Sequence, residues 1–134
     1  KPELIRSALE GIAMNLRLRL DLLRKYTKLE DEILFVGGGA KSRFYLGIFS
    51  DVFNTRILQT NIDQDAGALG AAAIAAVGIG IWSDFNKIDE IHKPIEFVEP
   101  NQNNNLKYEK LLPVFAEATE FQARISERLH DLEL

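Results

Sequence analysis

The sequence predicts an α/β fold: short parallel strands flanked by helices, followed by a C-terminal helical tail. Three observations carry this expectation. A short apolar run at 33–36 and the segment Arg56-Ile57-Leu58 read as strands. Between and around them, apolar residues recur three and four positions apart, as amphipathic helices require. The order α-β-α-β-α then makes the two strands a parallel pair with helices beside them.

The first helix should start at Pro2, because proline suits a position whose N–H has no partner. Leu4, Ile5, Ala8, Leu9, Ile12, Ala13, Leu16, Leu20 and Leu23 follow at helical spacing, and the helix should end near Tyr26. Leu18 and Leu22 widen the stripe, which predicts burial on more than one side. The run at 33–36, closed by glycine, reads as a buried parallel strand. A second helix is expected from Ser42 to about Phe53, with Ser42 near its cap. Phe44, Tyr45, Ile48, Phe49 and Val52 form its apolar face.

After the strand at 56–58, Asp63 or Asp65 can cap a third helix from Ala66 to about Val77. Gly78 and Gly80 suit its C-terminal end. Residues 82–100 read as irregular, and EPNQNNN at 99–105 as a polar hinge. Leu111, Leu112, Phe115, Phe121, Ile125 and Leu129 return at helical spacing. Pro113 should kink that tail helix or restart it, because it cannot donate to the carbonyl four residues earlier. Two strands make a poor sheet, so further strands are expected upstream. The chain begins at Lys1, without Met and already in a helical pattern, which suggests a piece of a longer protein.

With 134 residues the chain is one domain or a large part of one. A formal net charge of -4 argues against a duplex nucleic-acid binder. The basic stretch at 1–28, with Arg6, Arg17, Arg19 and Arg24, reads as a solvated helix face. The absence of cysteine excludes disulfides, zinc–thiolate sites and a Cys nucleophile, and cytosolic residence is compatible with it. The charge-free run at 66–83 has the length of a membrane span. It is mostly Ala and Gly, and a span is rejected.

The stretch ILFVGGGAKSRF, at 33–44, is the candidate site. A Walker A loop aligned on Lys41-Ser42 would need glycine where Phe35 and Ala40 stand, and fails. The Rossmann fingerprint finds Gly37 and Gly39 but then Ser42, and no ribose-binding acid about twenty residues on, where Gln59, Thr60 and Asn61 stand. The adenosine loop of actin-like ATPases fits throughout: an apolar strand, Gly-Gly-small, then a polar residue opening a helix. Without Cβ atoms at Gly37, Gly38 and Gly39 the backbone can lie flush against a nucleotide. The amides opening the next helix can face anionic oxygens. From the glycines alone, a tight turn with no ligand stays open.

The flanking motifs extend the match. ELIRSALE at 3–10 resembles the downstream half of the second signature motif of the FGGY carbohydrate kinases, the xylulose, glycerol and gluconate kinase family. EGIAMNLRLRLDLL resembles the long helix of that family, and GGGAKSRFYLGIFSDVFNTRI its adenosine loop, helix and following strand. DAGALGAAAIAAVGIGIW at 65–82 resembles its small-residue helix, and residues 108–129 its C-terminal tail. The resemblance covers nearly the whole chain.

It implies the C-terminal part of an actin-like ATPase (ribonuclease H-like) domain. Residues 1–100 would belong to the nucleotide-binding half and 101–134 to a helical tail packing on the same domain. The implied reaction moves the γ-phosphoryl group of Mg-ATP to a sugar or polyol hydroxyl, with xylulose the first guess. Gly37, Gly38, Gly39 and Ser42 would bind the cofactor ATP, or ADP. The catalytic base, the Mg2+ ligands and the sugar pocket would lie outside these residues, so the chain alone should be inactive. Implied too are a cytoplasmic protein, no nucleic-acid or membrane partner, and a homodimer as an open question. Ser42 stands where relatives carry an asparagine near the adenine, and Lys41 and Arg43 stay undecided between nucleotide and solvent. The competing reading is a non-catalytic nucleotide-sensing or scaffold module on the same half-fold.

Other conspicuous residues have plainer readings. Gly67, Gly70 and the alanines to Ala76 should let a helix approach another element closely. Glu10 should pair with a nearby arginine, and His92 and His130 should lie at the surface.

Overall fold

The computed structural model describes residues 1–62 and 64–132. Its elements are α1 (Pro2–Arg24), β1 (Glu32–Phe35), a 3-10 turn (Gly38–Lys41), α2 (Arg43–Phe53), β2 (Arg56–Thr60), α3 (Ala66–Gly78), α4 (Lys87–Ile91), β3 (Pro94–Val98) and α5 (Gln102–His130). They form two compact units. One holds residues 1–29, 51–54 and 100 onward, and the other residues 30–50 and 55–99.

The second unit is built on a three-stranded sheet ordered β1-β2-β3. β1 and β2 are parallel, with Ile33 opposite Ile57 and Phe35 opposite Gln59, as the crossover through α2 requires. β3 was not legible in the sequence, where residues 82–100 read as irregular. It pairs antiparallel with β2, Ile57 opposite Val98 and Leu58 opposite Phe97. Pro94 opens it, a position where an edge strand tolerates a missing N–H. Its large apolar residues Ile95 and Phe97 are exposed, so its pattern is inverted relative to a half-buried strand. β1 has no buried residue: Ile33 and Phe35 are half-buried and Leu34 is 46% exposed, and this corrects the expectation of a buried strand.

Against that sheet α2 buries Leu46, Ile48 and Phe49, and β2 buries Ile57 completely. Each such side chain contributes about 1.5–3 kcal/mol by leaving water. Phe35, Tyr45 and Phe49 meet edge to face, with centroids 4.8 to 5.8 Å apart, so that positive ring edges face negative ring faces. Ser50 Oγ lies 3.0 Å from the carbonyls of both Thr55 and Val98 and can donate to either.

α3 ends as its glycines predicted. Gly80 adopts φ +77, Ile81 N donates to Ala76 O and Gly80 N to Val77 O, the paired bonds of a Schellman motif. Its start differs from expectation: Asp65 occupies the N-cap position, but its side chain makes no capping bond, and Asp63 lies outside the described residues. The close approach expected at Gly67 and Gly70 is absent from the described residues. A methyl group at either meets nothing within 4 Å, and Ile74 is 67% exposed.

In the first unit, α1 packs on α5 and buries Ala13, Met14 and the aliphatic part of Arg17. The second buried face expected of α1 is not covered by the described residues: Leu4, Ile5, Ile12 and Leu16 stay exposed. Most of the polar segment at 99–105 is helical rather than loop, since α5 begins at Gln102. Asn101 is the N-cap of α5, its side chain accepting from Asn103 N and Asn104 N. Asp51 adds bonds from Asn101 N at 2.7 Å and Asn104 Nδ2 at 2.9 Å. α5 then runs unbroken through Pro113, so the proline does not restart it. No helix among the described residues is long and apolar enough to cross a membrane.

Candidate functional site

The glycine loop leaves the C-terminal end of β1 and opens α2. Its three glycines prove to do three different things. Gly37 has φ +97 and ψ 179, a conformation that a side chain would strain. It turns the chain out of the strand and into the 3-10 turn. Its carbonyl accepts from Ala40 N at 3.0 Å, the first bond of that turn. The amides of Gly38 and Gly39 precede that bond, so helical geometry gives them no partner within the turn.

Gly39 faces inward. A methyl group there would lie 2.5 Å from Tyr45 Cε1 and 3.5 Å from Phe35 Cε1. Gly38 faces outward and is exposed. Among the described residues a methyl group there would meet only Gln64 Nε2, at 4.0 Å. The open backbone face of the loop is therefore at Gly38, while Gly39 lets the aromatic cluster close beneath it. The sequence shows three equal glycines; only the packing separates them.

Ser42 is the N-cap of α2, as its position predicted. Its Oγ accepts from Tyr45 N at 3.3 Å, and its carbonyl accepts from Leu46 N at 2.9 Å. The Ser42 hydroxyl keeps its proton for a further acceptor, and the side chain is exposed. Lys41 ends the 3-10 turn on the exposed side. Arg43 opens α2 and forms an ion pair with Glu96 on β3, while staying 71% exposed. The structure thus brings Gly37, Gly38, Gly39 and Ser42 together in one loop, with two cationic side chains beside it.

The other candidates fall away from this loop. Glu10 pairs with Arg6, as expected, its Oε1 accepting from Arg6 Nε at 2.8 Å. The same oxygen accepts from Tyr108 Oη at 2.7 Å, a partner almost a hundred residues away that periodicity could not reveal. Burial first, and then the bond to Glu10, push the Tyr108 phenol up to about 12. Arg6 is raised in turn, chiefly by its bond to Glu10. This cluster ties α1 to α5. His130 is exposed. His92 departs from the surface reading: it is half-buried and its Nδ1 is buried without a hydrogen-bond partner among the described residues. The described residues contain no group of three or more Asp, Glu or His able to hold a metal ion.

The chain is similar to known proteins. The sequence profile of the FGGY family of carbohydrate kinases, C-terminal domain, matches residues 1–79. A xylulose kinase of Staphylococcus epidermidis is 32% identical over 116 residues, which cover 86% of this chain and 23% of that protein. Among solved structures, a ligand-bound xylulose kinase from Lactobacillus acidophilus superposes with a TM-score of 0.76 at 30% identity, over 91% of this chain and 25% of the other. A gluconate kinase from the same organism gives 0.75, also at 30% identity, with the same coverage. The chain spans about a quarter of the length of these relatives. The glycine loop, Ser42 and the strand before them all fall inside the matched segment, and the chain belongs to the FGGY family of carbohydrate kinases as a C-terminal domain.

Proposed function

We propose that this chain supplies the adenosine-binding wall of an ATP-dependent sugar kinase. In the full-length protein the γ-phosphoryl group of ATP passes to a sugar or polyol hydroxyl. The observation that carries the reading is the open face of Gly38, set between a strand end and a capped helix start in a chain of this family. A flat nucleoside can lie against a backbone that has no Cβ. The Ser42 hydroxyl can donate to it, and the early amides of the turn face toward anionic oxygens.

Residues 1–100 form part of the nucleotide-binding half on this reading, and residues 101–134 its helical tail. On this reading the base that accepts the hydroxyl proton and the ligands of Mg2+ are supplied by the rest of the protein. Xylulose is the first substrate to assay, because xylulose kinases stand among the similar proteins. Gluconate follows, because a gluconate kinase superposes about as well. A cytoplasmic location fits a soluble metabolic kinase.

The test is a kinase assay of the full-length protein with ATP and a panel of sugars and polyols, beside the isolated chain. Sugar-dependent ADP release is expected from the full-length protein alone. Release by the isolated chain would place a base within these residues. Tight ATP binding by the full-length protein without transfer to any panel member would favour a nucleotide-sensing module instead.

A further inference from the structure

Two loops leave the sheet side by side. β1 and β2 are parallel neighbours, with Phe35 opposite Gln59, so both release the chain at the same edge. β1 runs into the glycine loop, and β2 runs into the segment that leads to α3. Open α/β sheets take their ligands in the crevice outside the carboxyl ends of such strands. All of these residues belong to the unit formed by residues 30–50 and 55–99.

The second loop is anchored before and after Gln64. Thr60 is buried, and its hydroxyl donates to Ile62 O at 2.9 Å while accepting from Ile62 N at 3.3 Å. Asn61 pairs with the chain that enters β3. Its N donates to Lys93 O at 3.1 Å, its Oδ1 accepts from Lys93 N at 2.8 Å, and its Nδ2 donates to Ile91 O at 3.1 Å. On the far side Leu69 N donates to Asp65 O at 2.9 Å, the first bond of α3. Gln64 is exposed between these anchors. Among the described residues its Nε2 is the atom that comes within 4.0 Å of the place a Cβ would take on Gly38.

A carboxamide carries an acceptor, Oε1, beside a donor, Nε2. Adenine shows the complementary pair on either edge that bears its 6-amino group: an N–H donor beside N7 or beside N1. Glutamine meets such an edge through two parallel hydrogen bonds. Guanine has an oxygen at that position. The wall at Gly38 offers a flat surface, which tells no base from another, and a polar side chain beside it supplies the discrimination.

We propose that Gln64 is the base-selecting residue of the nucleotide site: its carboxamide pairs with the 6-amino edge of an adenine that lies against Gly38. The proposal rests on the reading of the loop as an adenosine wall.

The experiment uses the full-length protein and reads the Kd by titration calorimetry for the Mg complexes of three diphosphates: ADP, GDP, and purine riboside diphosphate, which lacks the 6-amino group. Wild type is expected to bind ADP at least fivefold more tightly than purine riboside diphosphate. In Gln64→Ala that preference should shrink to within twofold, since the group that reads the amino edge is gone. Gln64→Glu presents two acceptors, which suit guanine N1–H and N2–H and repel adenine N1 or N7. The ratio of the GDP Kd to the ADP Kd should therefore fall at least tenfold in that variant. Equal binding of ADP and purine riboside diphosphate by wild type overturns the proposal, as does a preference left intact in Gln64→Ala. Tighter ADP binding by Gln64→Ala overturns it too, because Gln64 would then be covering the face and have to leave it. The two readings fail separately. If Gly38→Val weakens ADP binding while the Gln64 variants keep the wild-type base preference, the wall stands and the selecting role of Gln64 falls. If wild type binds none of the three, or Gly38→Val binds ADP as wild type does, the wall falls and the proposal with it.

Discussion

Tyr45 closes over Gly39 so tightly that a single methyl group on Gly39 would come within 2.5 Å of the ring. The ring cannot simply swing aside, because Phe35 and Phe49 hold its edge and face. Gly39→Ala is therefore expected to destabilise the protein by about 1–3 kcal/mol, the usual cost of overpacking. Gly38→Ala, whose methyl group enters open space, should stay within about 0.5 kcal/mol of wild type. Urea unfolding of the two variants in the full-length protein measures both. Equal losses would mean that the loop does not separate the two glycines as described.

That contrast marks what the sequence could and could not reveal. A strand, a glycine turn and a capped helix were legible because each has a local signature: the apolar run, the missing Cβ, the Ser42 hydroxyl three residues before Tyr45 N. The Schellman end of α3 was legible for the same reason, through Gly80. What depends on distant partners was not. Arg17 looks like any arginine on a basic helix until Glu109 and Val52 are brought beside it. β3 hid behind Pro94 and an exposed apolar face, and α4 is only five residues long, too short to display a period. The Asn-rich segment reads as a loop by composition, yet asparagine is also a strong helix cap, and Asp51 supplies the acceptor that decides between them.

Alkaline pH should weaken the α1–α5 contact through Tyr108. Its phenol is held protonated to about 12, against 10.0 unperturbed, by burial and by Glu10. In the unfolded chain it loses its proton near 10, so the unfolded state binds fewer protons than the native state between these values. The contribution is fully present below about pH 10 and is lost as pH rises toward 12. Tyr108→Phe should therefore cost about 1 kcal/mol at pH 7 and flatten the fall in stability between pH 10 and 12. Chemical denaturation of both proteins across that range checks it. An identical slope in the variant would contradict the shift.

Lys41 separates two readings of the same loop. It sits on the exposed side of the 3-10 turn, one residue before the Ser42 cap. In a phosphate loop of the Walker kind its loss would abolish transfer. In an adenosine loop Lys41→Ala should cost under about 1 kcal/mol in kcat/KM for ATP, the range of exposed charge contacts. Steady-state kinetics of the full-length variant decide between them. A hundredfold loss in kcat with the fold intact would overturn the assignment of this loop.

The central claim is that a nucleotide lies against the outward face of Gly38. Its most direct test is the KM for ATP of full-length Gly38→Val, measured beside the KM for the sugar. Among the described residues only Gln64 Nε2 approaches that face, at 4.0 Å, so the valine should fold without a clash while filling the space assigned to the nucleotide. The account predicts a rise in KM for ATP of at least tenfold, about 1.4 kcal/mol, with the sugar KM within twofold of wild type. A folded Gly38→Val protein with an unchanged KM for ATP would show the loop to be a turn between β1 and α2 and nothing more.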